Sequence, residues 1–276
     1  MTAARLLVNG TVDGIISPLD RGLSYGDGLF ESVRFIGNSA PLWLRHMQRL
    51  SESCERLKMP APDVGQLWDE AQRVCLGMPQ SVVRITLTRG SGERGYAIPA
   101  SPSPSRIVAA FDMPCLAEDV HERGIHVRVC SLRLAAQPLL AGIKHLNRLE
   151  QVLARSEWSD PSIAEGLLRD DAGHVICATM ANIFAISDGV LCTPSLARCG
   201  VAGVARAEVL AACLQARILE ISLDALLAAD EVFLSSSVRG IVPVQRLDHR
   251  SYPVGPTTRM LQQHWHDLGF FMGQAR

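Results

Sequence analysis

Lys144 stands in the stretch Leu140-Ala-Gly-Ile-Lys-His-Leu-Asn-Arg-Leu-Glu-Gln-Val-Leu153, one of very few lysines in a chain whose basic residues are mostly arginine. An apolar run, Pro138-Leu-Leu-Ala-Gly-Ile143, precedes it, and Leu146, Leu149, Val152 and Leu153 follow at helix-like spacing. Removing water from an amine disfavours its ammonium form, the condition a Schiff-base lysine needs. The same position suits a surface lysine whose stem packs on apolar neighbours while its head stays wet. Position alone leaves both readings open.

Other reactive side chains point to less. The eight cysteines (54, 75, 115, 130, 177, 192, 199 and 213) include no Cys-x-x-Cys pair, and most lie in apolar stretches. That pattern reads as buried reduced thiols of a cytoplasmic protein, not as disulfides or a zinc site. His264-Trp-His266 has no acidic or thiol partner pattern and reads as a solvated helix face, so no metal is expected. A formal net charge of −1 gives no case for nucleic acid or an anionic membrane. With 47% hydrophobic and 20% charged residues, the composition is that of an ordinary soluble protein. No run is long and apolar enough to span a bilayer. The first ten residues lack the pattern of a secretory signal.

The elements that must hold these residues follow from periodicity and turn chemistry. Leu6–Val8 and Val12–Ile16 flank Asn9-Gly10, a type I′ hairpin signature. Asp20-Arg-Gly-Leu-Ser-Tyr-Gly-Asp-Gly28 reads as a glycine-rich connection into a strand, Leu29–Phe35. Leu44, Met47, Leu50, Cys54 and Leu57 recur at helical spacing, and a second helix runs from Asp63, its N-cap, to Leu76. Val82–Thr88 alternates as a half-buried strand, and Arg106–Met113 is another. The glycine- and proline-rich stretch 89–104 between them is a long loop, and such loops are more often functional than accidental. Further strands are expected at Ile125–Cys130, Gly166–Arg169, Val175–Thr179, Asn182–Ser187 and Glu231–Ser235, with helices near Asn147–Trp158, Val204–Ala216 and Thr257–Phe270. Runs of strands joined by short turns, with helices after them, predict an α+β fold of two units. The predicted organisation is an N-terminal domain over 1–114, a linker over 115–123 and a C-terminal domain over 124–276 that carries Lys144.

Several segments then align with one family. Asp20 to Glu31, His46-Met-Gln-Arg-Leu50, Thr88-Arg-Gly-Ser-Gly-Glu-Arg-Gly-Tyr96, Gly142-Ile-Lys-His-Leu-Asn-Arg-Leu-Glu150 and Ala181-Asn-Ile-Phe184 resemble, in order, the fold-type IV pyridoxal-phosphate enzymes. Within that group they look most like the lyases that convert 4-amino-4-deoxychorismate to 4-aminobenzoate and pyruvate in folate biosynthesis. The lysine segment and the Arg-Gly-Ser-Gly-x-Arg-Gly-Tyr loop are the specific parts. The other motifs are shared with branched-chain and D-amino-acid transaminases.

The resemblance implies a smaller N-terminal α/β domain, a larger C-terminal domain, a homodimer, and pyridoxal 5′-phosphate as cofactor. Lys144 matches the lysine that forms the internal aldimine and shuttles protons. Arg49 matches the arginine on the cofactor phosphate, where a guanidinium gives paired hydrogen bonds. Val204 and Ala205, in Gly200-Val-Ala-Gly-Val-Ala-Arg206, match the amides at a helix start that cradle the phosphate. Ser236 or Ser237 would add a hydroxyl, although a polar strand end explains them equally. Arg94 and Tyr96 in the loop, with Tyr25 and Phe30, match the substrate end, where an arginine suits a substrate with two carboxylates. One position departs from the pattern. The family glutamate that hydrogen-bonds the protonated pyridine nitrogen falls at Cys177. A thiol donates only weakly and supports the cofactor's electron sink less than a carboxylate does. Such a site is more compatible with a downhill elimination that yields an aromatic ring than with amino-group transfer. A D-amino-acid or branched-chain aminotransferase, and a cofactor-binding relative with little activity, are the alternatives.

Overall fold

The computed structural model describes residues 5–115 and 119–270, and contacts divide them into two compact units. The first contains the residues up to 114 together with 144–147; the second contains 115–143 and 148 onward. Of the expected linker, residues 116–118 lie outside the described residues.

The first unit runs β1 (Leu6–Val8), α1 (Arg21–Tyr25), β2 (Gly28–Ile36), α2 (Trp43–Arg56), α3 (Val64–Cys75), β3 (Gln80–Thr88) and β4 (Arg106–Phe111). Its sheet is antiparallel in the order β1-β4-β3-β2. The alternation read in the sequence is realised in β3: Val83, Ile85 and Leu87 are buried while Arg84 is exposed. Asp63 caps α3 as expected, accepting from the Gln66 amide at 2.9 Å. The stripe of α2 differs in phase. Trp43, His46, Met47, Leu50 and Cys54 face inward, and Leu44 is left 80% exposed. Trp43 takes the inward place because it packs edge-on against Trp68, with ring centres 5.0 Å apart.

Asn9 and Gly10 do form a turn with positive φ, 49° and 83°, but no second strand follows. After Thr11 the chain passes close over Val8, where a Cβ at Gly14 would sit 2.4 Å from the Val8 carbonyl oxygen. β1 pairs with β4 instead.

The second unit runs α4 (Val120–Arg123), β5 (Ile125–Leu134), α5 (Leu149–Arg155), β6 (Ile163–Asp170), β7 (Val175–Ala178), β8 (Asn182–Ser187), β9 (Val190–Pro194), α6 (Val204–Ala212), β10 (Arg217–Leu219), α7 (Leu223–Leu227), β11 (Glu231–Ser236), β12 (Gly240–Leu247), β13 (Arg250–Ser251) and α8 (Pro256–Asp267). Its sheet has the order β10-β9-β8-β11-β12-β5-β6-β7, with β13 on β12. β5 is parallel to both β12 and β6, so the sheet is mixed, within the α+β class expected. Both faces of β5 and β6 are covered. Val127 and Leu167 enter one apolar cluster, Cys130 and Leu168 the other.

Two helical expectations change. α5 begins at Leu149, and Leu149, Val152 and Leu153 are 75%, 60% and 59% exposed, because Ala154 is the residue its short span buries. In α8 the pair around Trp265 is not uniformly solvated: Trp265 is fully buried and His264 bonds Glu208 at 2.9 Å, while His266 is exposed. Five of the cysteines are buried; Cys192 and Cys213 are half-buried and Cys115 is exposed. No described helix is long and apolar enough to cross a membrane.

The stacked pair Phe184–Phe233, 5.0 Å between ring centres and without solvent exposure, joins β8 to β11. Phe184→Ala is expected to destabilise the protein by about 3–5 kcal/mol, read as a lower urea midpoint against wild type.

Candidate active site

β2 is an edge strand, so one side of its backbone is open to pairing. Residues 144–146 take that side. The Phe30 amide donates to the Lys144 carbonyl at 3.1 Å, the Leu146 amide donates to the Gly28 carbonyl at 3.0 Å, and Leu29 faces His145 in an antiparallel bridge. Lys144 thus stands opposite Phe30, and its Nζ lies 4.1 Å from the centre of the Phe30 ring. Arg84 approaches the same ring to 4.2 Å. The lysine is half-buried, so its amine is neither in the core nor in open water.

The other face of β2 carries Leu29, Glu31, Val33 and Phe35 into the core, each at 1% exposure or less. A carboxylate there needs partners. His46 and Arg49, three residues apart on α2, share one helix face and supply them. Arg49 donates from Nε to Glu31 Oε1 at 2.8 Å and from Nη2 to Oε2, and His46 Nδ1 lies 2.6 Å from Oε2. Burial works to raise the Glu31 pKa, but Arg49 and then His46 outweigh it and bring it down to about 2. Burial pushes His46 below the usual imidazole value, against the pull of Glu31 and helped by the positive charges of Arg49 and Lys144. A neutral His46 beside an ionised Glu31 places its proton on Nδ1. Two of the three guanidinium nitrogens of Arg49 are therefore committed to Glu31.

The substrate-end residues gather around α1. Arg21 donates to Asp27 at 2.9 Å and to the carbonyls of Gly95 and Tyr96 at 3.0 and 3.3 Å. Arg89 donates to the other side of Asp27, at 2.7 Å to Oδ2 and 2.9 Å to Oδ1. The Tyr25 hydroxyl accepts from the Gly95 amide, and its ring lies 5.4 Å from that of Tyr96. Tyr96 is 85% exposed and Arg94 is exposed beside it. Phe30 lies against the Lys144 amine.

In the second unit the phosphate candidates sit at the start of α6. Its N-cap, Gly203, is extended and supplies no side-chain cap, which leaves the amides of Val204 and Ala205 at an uncapped, electropositive helix end. Asn182 shapes the turn before it. Its Oδ1 accepts from the Gly203 amide at 3.1 Å and its Nδ2 donates to the Val201 carbonyl at 2.9 Å. A Cβ on Gly203 would stand 2.0 Å from that oxygen, so the close approach requires glycine. The Ser236 hydroxyl oxygen accepts from the amides of Val238 and Arg239, closing the turn from β11 into β12, with Ser237 half-buried in it. Cys177 lies buried in β7, and burial, then Cys199 and Glu165, push its thiol up to about 12. Arg148, itself held below the usual guanidinium value by burial, opposes this rise.

Sequence reasoning assigned no role to Glu31, His46, Asn182, Arg148 or Glu165. The first four stood inside the motifs that carried the resemblance. A charged residue in phase with Leu29, Val33 and Phe35 was the available clue to Glu31. Glu165 precedes the expected strand start, and because β6 begins at Ile163 it enters fully buried.

The model of the amino-transferase class IV family matches residues 28–247. An aminodeoxychorismate lyase of Vibrio harveyi is 35% identical, over 92% of this chain and 97% of its own length. A crystal structure of the 4-amino-4-deoxychorismate lyase of Pseudomonas aeruginosa superposes with a TM-score of 0.90 at 45% identity, over 95% of this chain and 98% of that one. A branched-chain amino acid aminotransferase of Escherichia coli gives 0.85 at 26% identity, over 100% and 97%. The chain belongs to the class IV aminotransferase family, whose enzymes use pyridoxal phosphate.

Glu31→Gln leaves Arg49 and His46 without their anion and is expected to cost about 3–5 kcal/mol. Because the folded pKa of Glu31 is depressed from 4.5 to about 2, its contribution is complete above about 4.5 and is lost as the pH falls through about 2. Urea titrations between these limits should give a shallower acid loss for the variant than for wild type.

Proposed function

We propose that the chain is a pyridoxal-phosphate-dependent carbon–oxygen lyase that converts 4-amino-4-deoxychorismate to 4-aminobenzoate and pyruvate. The observation that carries the reading is the 45% identity, across 95% of the chain, to a lyase structure, against 26% to the aminotransferase structure. Homodimeric assembly, a cytoplasmic setting and a place in folate biosynthesis belong to the same proposal and rest on the resemblance.

The residues present fit the phosphate end of the cofactor. In the second unit the uncapped start of α6 offers the amides of Val204 and Ala205 and the turn at Ser236 and Ser237 offers hydroxyls; in the first unit, by resemblance, Arg49 would add a guanidinium oriented by Glu31. When bound, pyridoxal phosphate supplies an electron sink conjugated to the substrate amine.

Lys144 is the residue that holds the cofactor and moves protons. Its Nζ takes the proton from the amine-bearing ring carbon. The carbon–oxygen bond to the enolpyruvyl group breaks as the ring becomes aromatic, and the same amine returns a proton to the methylene of the departing enolpyruvate. One amine within reach of both carbons makes proximity a large part of the catalysis. Arg94, with Tyr96, Tyr25 and Phe30, is assigned to the substrate, its guanidinium matched to a carboxylate.

The residues at the pyridine end depart from the family. Cys177 is a neutral thiol, and the charge that opposes the rise of its pKa is the cation Arg148, which cannot keep a ring nitrogen protonated. Elimination driven by aromatisation tolerates this better than amino transfer does.

Lys144→Ala should abolish pyruvate release from 4-amino-4-deoxychorismate in a coupled assay, with a residual rate at background. Cys177→Glu should raise amino transfer to a keto acid by about tenfold, the equivalent of ~1.4 kcal/mol of barrier. A variant that gains neither amino transfer nor lyase rate contradicts the account of Cys177.

A further inference from the structure

α1 contacts both the lysine segment and the loop 89–104, and all three lie in the first unit. At its C-terminal end Gly26 is left-handed, with φ 65°, and its carbonyl accepts from Asn147 Nδ2 at 3.3 Å. A Cβ on Gly26 would stand 2.3 Å from Asn147 Oδ1, so this turn and the residues after Lys144 fit closely. At its N-terminal end Asp20 accepts from the Thr88 and Ser105 hydroxyls at 2.9 and 2.7 Å, which closes the base of the loop. The Arg21 amide donates to the Gly90 carbonyl at 2.9 Å.

The tip of the loop is held by side chains of α1. The Arg21 guanidinium donates to the carbonyls of Gly95 and Tyr96, and the Gly95 amide donates to the Tyr25 hydroxyl. Arg21 is 4% exposed, and its Nε donates to Asp27. The same carboxylate accepts from Arg89, whose guanidinium also bonds the carbonyls of Leu57 and Lys58. Burial works to raise the Asp27 pKa, but Arg89 and Arg21 outweigh it and hold it below the usual carboxylate value. The Arg21 fork is thus aimed from a fixed root, and a single ammonium could not span its three acceptors. On either side of the bonded Gly95, Arg94 and Tyr96 stay exposed.

We propose that Arg21 is the positioning residue of the substrate loop, fixing where Arg94 and Tyr96 stand relative to the lysine segment and thereby setting substrate affinity. The inference rests on the lyase reading, which assigns Arg94 to a substrate carboxylate. That carboxylate takes no part in the bond changes, so its contact contributes equally before and during the reaction. Loosening the loop therefore raises KM and leaves kcat in place.

The test uses the holoenzyme with Arg21→Met, which removes the fork, and Arg21→Lys, which keeps a cation beside Asp27. Limited trypsin digestion should cut the Arg94–Gly95 bond at least about tenfold faster in both, because the released loop opens more readily. In the coupled pyruvate assay, KM for 4-amino-4-deoxychorismate should rise about tenfold while kcat stays within about twofold. Pyridoxal phosphate loading should stay at the wild-type level. If Arg21→Met does not fold, Arg21→Lys carries the same expectations. Unchanged cleavage at that bond overturns the proposal, as does faster cleavage with an unchanged KM. A fall in kcat at unchanged KM, or a loss of cofactor, also overturns it. Wild-type enzyme that releases no pyruvate refutes the lyase reading, and faster cleavage in the variants then still upholds Arg21 as the residue that fixes the loop.

Discussion

Two main-chain hydrogen bonds, from Phe30 to Lys144 and from Leu146 to Gly28, hold the lysine segment on the open edge of β2. Edge strands expose unpaired amides and carbonyls, and here those groups are used to fix one short segment. The pairing decides which face the lysine side chain takes. Opposite Phe30, its amine meets an aromatic ring on one side of the sheet, while Glu31 turns to the other side and into the core. A slip of one residue would exchange these faces and bury the amine in place of the carboxylate.

The same strand therefore has to carry a buried acid. Glu31 is held by Arg49 and His46, and the cluster ties α2 to β2. Ion pairs in a core stabilise little relative to apolar packing, and their value lies in specifying one arrangement. Here the arrangement specified is the direction of a guanidinium. Asn182 does corresponding work in the second unit. It spans Val201 and Gly203 with one amide group, so the turn into α6 presents Val204 and Ala205 without a competing cap.

Much of this architecture was legible in the sequence where a short-range rule applies. The alternation of β3, the Asp63 cap and the Asn9-Gly10 turn all follow from local chemistry, and they form. What fails is what depends on a distant partner. Val12–Ile16 looked like the return arm of a hairpin, but β1 found β4 instead. The apolar residues after Lys144 have helical spacing, yet α5 begins at Leu149 and buries only Ala154. Of the proposed site, Lys144, Arg49, Val204 and Ala205 are assigned by the motifs. The buried partners Glu31 and Glu165 were invisible, since their surroundings come from burial and from neighbours along the chain.

In the proposed reaction Lys144 carries the chemistry, and by resemblance a thiol, Cys177, stands at the position of the family carboxylate. Lys58 is the only other lysine in the chain, so attachment can be assigned without ambiguity. The most direct measurement is reduction of the pyridoxal-phosphate-loaded protein with borohydride, followed by peptide mapping. The account predicts one pyridoxyl group per chain, on the peptide containing Lys144. A pyridoxyl group on Lys58, or none on either lysine in protein that retains cofactor, would contradict it.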